Sequence, residues 1–176
     1  ETGQTVSFIP AFLPIDTTER NLKWFVYGGC ATIDGDGKIM ITDKGKVTIK
    51  VYTSDWKQST SYEFEAIYSA DHFTKAAESY NVRANRAIVI EFDENVSLPL
   101  VQANIFAATD ESGNAGYTDI KIVADGRRVT IIPVNGWSAG ENYIFIKEGL
   151  SDVEGNRIGK NLKFIFTVRD GMYEKL

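Results

Sequence analysis

Apolar and polar positions alternate along most of this chain. Between Gly45 and Asp55, Val47, Ile49 and Val51 fall on one side, and Thr48, Lys50 and Tyr52 on the other. From Ser61 to Tyr68 the same rhythm sets Tyr62, Phe64 and Ala66 against Glu63, Glu65 and Ile67. It returns in Ile88, Ile90 and Phe92, and again in Leu162, Phe164, Phe166 and Val168. A period of two marks half-buried strands. Turn-forming runs separate them at Asp34–Gly37, Asp43–Gly45, Glu111–Asn114, Ala124–Gly126, Ala139–Asn142 and Glu154–Asn156, where Gly and Asn accept a positive φ. Short strands with turn signals every 8–12 residues or so predict an all-β sandwich architecture. Helical spacing occurs once, from Asp71 through Phe73, Ala76, Ala77 and Tyr80. Because that stretch runs on into a clear strand at Ile88, a bend leading into a strand is expected there rather than a helix.

Composition narrows the function classes. The chain has 176 residues, 43% hydrophobic and 24% charged, which is ordinary for a globular protein and allows one large domain or two small ones. Its formal charge is −5, split between 7 basic and 9 acidic residues up to Ala70 and 12 and 15 beyond it. Neither part carries the basic footprint that nucleic acid requires. One cysteine, Cys30, excludes an internal disulfide and a Cys-based zinc site. One histidine, His72, excludes multi-His metal centres. No apolar run approaches the roughly 20 residues that cross a bilayer, so membrane insertion is not expected. The chain reads as a mature segment of something longer.

Two stretches carry family resemblances. Residues 3–68 contain TVSFIPAFLP, TTERNLKWFV, CATIDGDGKI, KGKVTIKVYTSD and TSYEFEAIY in that order. This succession resembles the bacterial immunoglobulin-like domain of group 2, with Trp24 as the core tryptophan, Ala31–Asp34 as its strand-and-turn element and Gly45 before the long strand. The strand that opens that family, ahead of Gln4, is missing or cut to three residues. A sheet edge left open there would invite strand addition from another chain. Residues 75–168 contain AIVIEFDENVS, DGRRVTIIPV and WSAGENYIFIKEGLSDVEGNRIGKNLKFIFTV. These resemble a second bacterial Ig-like family found in tandem in S-layer and other surface proteins. In its Gly149–Asn156 loop, Asp152 and Asn156 are expected to bond backbone groups while Gly155 turns the chain. The resemblances imply two tandem immunoglobulin-like β-sandwiches, residues 1–70 and 71–176. No flexible linker composition separates them.

Candidate chemistry is sparse. Asp34 and Asp36 suggest a calcium loop, but Lys38, Ile39 and Gly45 occupy positions where an EF-hand needs oxygen ligands or a turn glycine, so a plain hairpin turn is expected. Asp93 with Glu94, and Asp152 with Glu154, read as solvated turns. His72 has only Asp71 nearby and no nucleophile elbow accompanies it. Cys30 lacks the cationic neighbour that would activate a thiol. Asn95-Val96-Ser97 is a glycosylation sequon of little meaning in a bacterial chain. No catalytic residue, metal ligand or cofactor is expected. Trp24 is read as core, and Trp137 as packed under the last hairpin. Trp56 lies in a polar loop, where with Tyr52 and Tyr62 it could form a platform for sugar stacking.

The expected function is therefore a non-catalytic spacer at the bacterial cell surface or outside the cell. Its partners would be neighbouring domains of the same polypeptide. The alternative is an adhesion module for a carbohydrate or other cell-surface component, with a cell-surface glycan as partner and an accessory role beside a polysaccharide-degrading enzyme.

Overall fold

A computed structural model describes residues 1–11 and 21–169. Most of the TVSFIPAFLP–TTERNLKWFV junction, residues 12–20, lies outside them. The chain divides into two compact units, Glu1–Ser69 and Ala70–Leu176.

Unit 1 is built from β1 (Thr5–Ser7), β2 (Leu22–Tyr27), β3 (Ala31–Ile33), β4 (Lys38–Ile41), β5 (Gly45–Thr53) and β6 (Ser59–Ala66). They form two antiparallel sheets, β1-β4-β3 and β2-β5-β6. Between the sheets lie Ala31, Ile39, Ile41, Val47, Ile49 and Ala66, every one at an alternate position of its strand. Trp24 packs against this cluster but is only half-buried, less enclosed than a core tryptophan. It is held in place by the β3–β4 turn. Gly37 there has φ +79°, and a Cβ on it would sit 2.7 Å from the Trp24 ring, so only glycine fits. Asp34 is used up in the same turn, its Oδ1 accepting the Asp36 and Lys38 N–H groups at 3.0 and 2.8 Å. The first three residues make no strand. Their backbone reaches across instead, Thr2 N–H to Ile67 C=O at 2.9 Å and Gly3 N–H to Ile41 C=O at 2.9 Å.

Unit 2 contains β7 (Thr74–Val82), β8 (Ile88–Glu91), α1 (Leu98–Asn104), β9 (Ile105–Ala108), β10 (Ile120–Asp125), β11 (Arg128–Pro133), β12 (Gly140–Ile146) and β13 (Leu162–Val168). The stretch with helical spacing is β7, a full strand that begins at Thr74. The single described helix, α1, has Pro99 in its first turn and lies where the sequence pattern shows no helical period. The sheets are β10-β11-β8 and β7-β13-β12-β9. Their facing sides bury Val129, Ile131, Ile144, Ile146, Phe166 and Trp137, among others.

Two features of this unit depart from simple alternation. β7 runs parallel to β13, from Thr74 opposite Leu162 to Val82 opposite Val168, with two register irregularities. Asn81 sits in the second with φ +62°, a conformation that asparagine tolerates better than most residues. And the outer face of the larger sheet is not open to water. Phe106, Tyr143, Phe145 and Lys163 share that face by register, yet Tyr143, Phe145 and Lys163 are 5%, 0% and 6% exposed. Phe73 and the loop from Thr109 to Gly116 cover them. Phe145 stacks on Phe106 at 4.9 Å and meets Phe73 at 4.6 Å, and Lys163 reaches Glu111 of the loop at 2.8 Å.

Candidate functional site

The Gly149–Asn156 loop folds as its sequence suggests. Asp152 Oδ1 accepts the N–H groups of Glu154 and Asn156, both at 2.9 Å, its Oδ2 accepts Asn156 Nδ2, and Gly155 has φ +93°. That carboxylate is engaged in turn-building and offers no free ligand. Among the described residues no group of three or more His, Cys, Asp and Glu side chains could hold a metal ion. The Cys30 thiol donates to the carbonyls of Gly28 and Lys44 at 3.3 and 3.1 Å. His72 Nε2 lies 3.2 Å from Asn161 Nδ2, and its ring stands edge-on to Phe73.

The aromatic residues are arranged more suggestively. Strand β5 ends at Thr53 and β6 starts at Ser59, so Trp56 sits at the tip of the connecting loop. The loop is tied at its base by Thr53 N–H to Gln58 C=O at 3.0 Å and inside by Trp56 N–H to Thr53 C=O at 2.9 Å. Trp56 has φ +63°, a left-handed conformation that costs a bulky L-residue about 1–2 kcal/mol. The turn folds the indole back over the outer face of β2-β5-β6. There it meets Tyr52 at 5.1 Å and Phe25 at 5.8 Å, while Lys23 Nζ lies 4.2 Å from the ring centre. Trp56 remains 54% exposed and Phe25 36%.

Tyr52 and Trp56 are thus brought together. Tyr62 is not. Register pairs it with Ile49, on the core-facing side, where its ring meets Phe8 at 5.6 Å and Phe64 at 6.1 Å. It lies on a groove of about 890 Å³ that also takes in Phe8, Trp24 and Val51. The third aromatic of the outer face is Phe25, which pairs with Lys50 across β2 and β5. The signal for it was present in Leu22–Tyr27, where Lys23, Phe25 and Tyr27 alternate with Leu22, Trp24 and Val26.

Asp55 braces the loop. Its Oδ1 accepts the Thr53 hydroxyl at 2.6 Å and the Lys57 N–H at 3.1 Å, and the Lys57 ammonium lies 3.2 Å from Oδ2. The Thr53 hydrogen bond, followed by that from the Lys57 backbone, lowers its pKa from 3.8 to about 2. A carboxyl depressed on folding contributes stability above its ordinary value, and that contribution is lost as pH falls through the folded value. An NMR titration should therefore find the Asp55 midpoint at about 2, with the Trp56 indole signals moving in step. A midpoint at the ordinary value would remove the brace.

Residues 69–168 match the family described as Bacterial Ig-like domain, and the chain belongs to that family. Its fold class is all-β and immunoglobulin-like. Among solved structures it is similar to domains 4 and 5 of the S-layer protein SbsC, at 11% identity and TM-score 0.24, over 89% of this chain and 74% of that one. It is also similar to the BSP domain of a biofilm-associated protein, at 16% identity and TM-score 0.32, over 90% of this chain and 26% of that one. A third likeness is to human protocadherin-24 EC1-2, at 11% identity and TM-score 0.22, over 85% and 82% of the two chains. At such low overlap neither a ligand nor a role passes from these structures to this chain. No curated protein matches the sequence. No described helix is long and apolar enough to cross a membrane.

Proposed function

We propose that this chain is a non-catalytic spacing segment of a bacterial surface or secreted protein, made of two tandem Ig-like modules, residues 1–70 and 71–176, the first of group 2 type. Its partners are the neighbouring domains of the same polypeptide. The observation that carries the reading is the parallel pairing of β7 with β13, the first and last strands of unit 2. In a parallel pair both strands run the same way. The chain therefore enters unit 2 at the Thr74 end and leaves at the Val168 end, about 20 Å further on at ~3.3 Å per residue. Tension on those two ends pulls β7 and β13 in opposite directions along their length. The evenly spaced bonds of the ladder are then loaded together in shear rather than opened one by one.

Unit 1 is arranged differently. Thr2 lies against Ile67 and Ser69, through Thr2 N–H to Ile67 C=O at 2.9 Å and Ser69 N–H to Thr2 Oγ1 at 3.1 Å. A chain running through it enters and leaves at one pole and gains little length. The load-bearing part of the proposal accordingly rests on unit 2. Single-molecule pulling on the whole chain from its two ends should give two unfolding events. The one at higher force should release the longer contour, that of the roughly 100 residues of unit 2, at ~3.6 Å each. Release of that longer contour at the lower force would sink the load-bearing role.

A further inference from the structure

The outer face of β2-β5-β6 carries charge as well as rings. Antiparallel register arranges it in rows: Lys23, Tyr52 and Ser59; then Phe25, Lys50 and Ser61; then Tyr27, Thr48 and Glu63. Trp56 folds over the first row. In the third row Glu63 is taken by Lys46 at 2.8 Å and by the Thr48 hydroxyl at 3.1 Å. The carboxylate beside the first row, Asp55, is engaged by Thr53 and Lys57. Lys23 and Lys50 contact rings instead of carboxylates among the described residues, Lys23 over Trp56 at 4.2 Å and Lys50 over Tyr27 at 5.6 Å. Among the described residues the aromatic half of this face is thus locally cationic, in a chain of net charge −5.

We propose that Lys23, Phe25, Lys50, Tyr52 and Trp56 form a binding face for a carboxylate-bearing polysaccharide. Lys23 lies over the indole at 4.2 Å, and a pyranose ring stacks on the part of Trp56 that stays in water, 54% of the residue. The apolar C–H face of a sugar fits an aromatic ring, whose electron-rich surface also attracts the polarised C–H groups. The Lys23 and Lys50 ammonium groups meet uronate carboxylates, and the Ser59 and Ser61 hydroxyls meet sugar hydroxyls. Rows lie about 6.8 Å apart along the strands, so the face is long enough for a short stretch of polymer rather than one ring. The positive φ of Trp56 belongs with this reading, since backbone strain held by a tied loop is a common companion of binding residues. The face lies wholly on unit 1, so this binding role and the load-bearing role of unit 2 can fail separately.

The test is affinity electrophoresis of the whole chain in native gels containing polygalacturonate or alginate, with hydroxyethyl cellulose as the neutral polymer. An acidic chain is repelled by acidic polymers in general, so retardation reports a specific site. The parent should be slowed by at least one acidic polymer and not by the neutral one. Trp56→Gly should weaken retention about tenfold. Glycine suits the Trp56 backbone, so this variant should melt close to the parent and separate loss of stacking from loss of fold. The double variant Lys23→Gln with Lys50→Gln should lose retention in the acidic gels, and Tyr62→Ala should keep it. Free migration of the parent in both acidic gels overturns the proposal. So does retention unchanged by Trp56→Gly, or retention by the neutral polymer that survives the double lysine variant.

Discussion

Trp137→Ala is expected to lower the stability of unit 2 by about 3–5 kcal/mol, the range for removing a buried tryptophan from a core. The side chain is 3% exposed and stands edge-on to both Tyr117 and Phe166, at 5.3 and 5.0 Å. Its indole Nε1–H donates to the Arg86 carbonyl at 2.8 Å, tying the β7–β8 connection to the start of the β12 hairpin. Truncation removes the ring contacts and leaves that carbonyl without its donor. The damage reaches a neighbouring polar cluster. Tyr117, which packs on Trp137, donates its hydroxyl to buried Asn142 Oδ1 and accepts the Ser138 N–H at 2.8 Å. Asn142 Nδ2 in turn donates to the carbonyls of Ser138 and Gly140 at 2.8 and 3.0 Å, so the cluster is fully satisfied only while Tyr117 is held. Domains of this size have about 5–15 kcal/mol in all, and each kcal/mol moves their melting point by roughly 4–8 °C. Calorimetry should therefore show the unit 2 transition falling by about 12–40 °C. Trp137→Phe, which keeps part of the ring packing but no N–H, should fall in between. A parent-like transition in the alanine variant would mean that the tryptophan is not the keystone of this core.

Phe145→Ala should cost about 3–4 kcal/mol, although Phe145 does not point into the core between the sheets. It lies on the outer face of the larger sheet with 0% exposure, stacked on Phe106 and crossed by Phe73. The covering loop rests directly on it. A Cβ on Gly113 would come within 3.1 Å of Phe106 and 3.3 Å of Phe145, so the backbone there packs as closely as glycine permits. Removing the ring should loosen the loop before the sandwich. Amide hydrogen exchange should accelerate most at residues 109–116 and least in β11, because local opening needs only the outer layer to come apart. Uniform acceleration across the unit would show instead that the outer layer and the core open as one.

Much of the fold is legible in the sequence, for a physical reason. A strand with one wet face repeats its apolar residues every second position, and every residue of the unit 1 core obeys that rule. The Asp152 turn is equally local, since the hydrogen bonds to its carboxylate come from no more than four residues away, although Val153 N–H also reaches the distant Asn95 C=O at 3.0 Å. Where alternation failed, longer reach was at work. The helical spacing from Asp71 counted apolar residues in a segment whose conformation is set by pairing with β13, some ninety positions away. Helix α1 is a single buried-side contact, Val101, in too short a segment to show a period.

The candidate face was half visible. The sequence suggested Trp56 with Tyr52 and Tyr62 as a platform, and the fold joins the Trp56 and Tyr52 rings on one surface. Tyr62 looked equivalent by composition, yet the hairpin register sets Tyr52 opposite Ser59 and Tyr62 opposite Ile49, which sends the two tyrosines to different faces. Phe25 enters through the pairing of β2 with β5, residues about twenty-five positions apart, and so do Lys23 and Lys50 as a pair of cations.

Sequence alone therefore determined the all-β architecture, the strand faces and most of the turns, because these follow from spacings of two to five residues; the turn expected at Ala139–Asn142 is instead the start of β12, where Gly140–Asn142 pair with Phe166–Val168 of β13. Only the tertiary structure decided which aromatic faces stay wet. Phe106, Tyr143 and Phe145 stand on an outer sheet face just as Phe25, Tyr52 and Trp56 do. A loop closes over the first group and none of the described residues closes over the second. That difference depends on where a distant segment comes to rest, and no local pattern of apolar and polar residues encodes it.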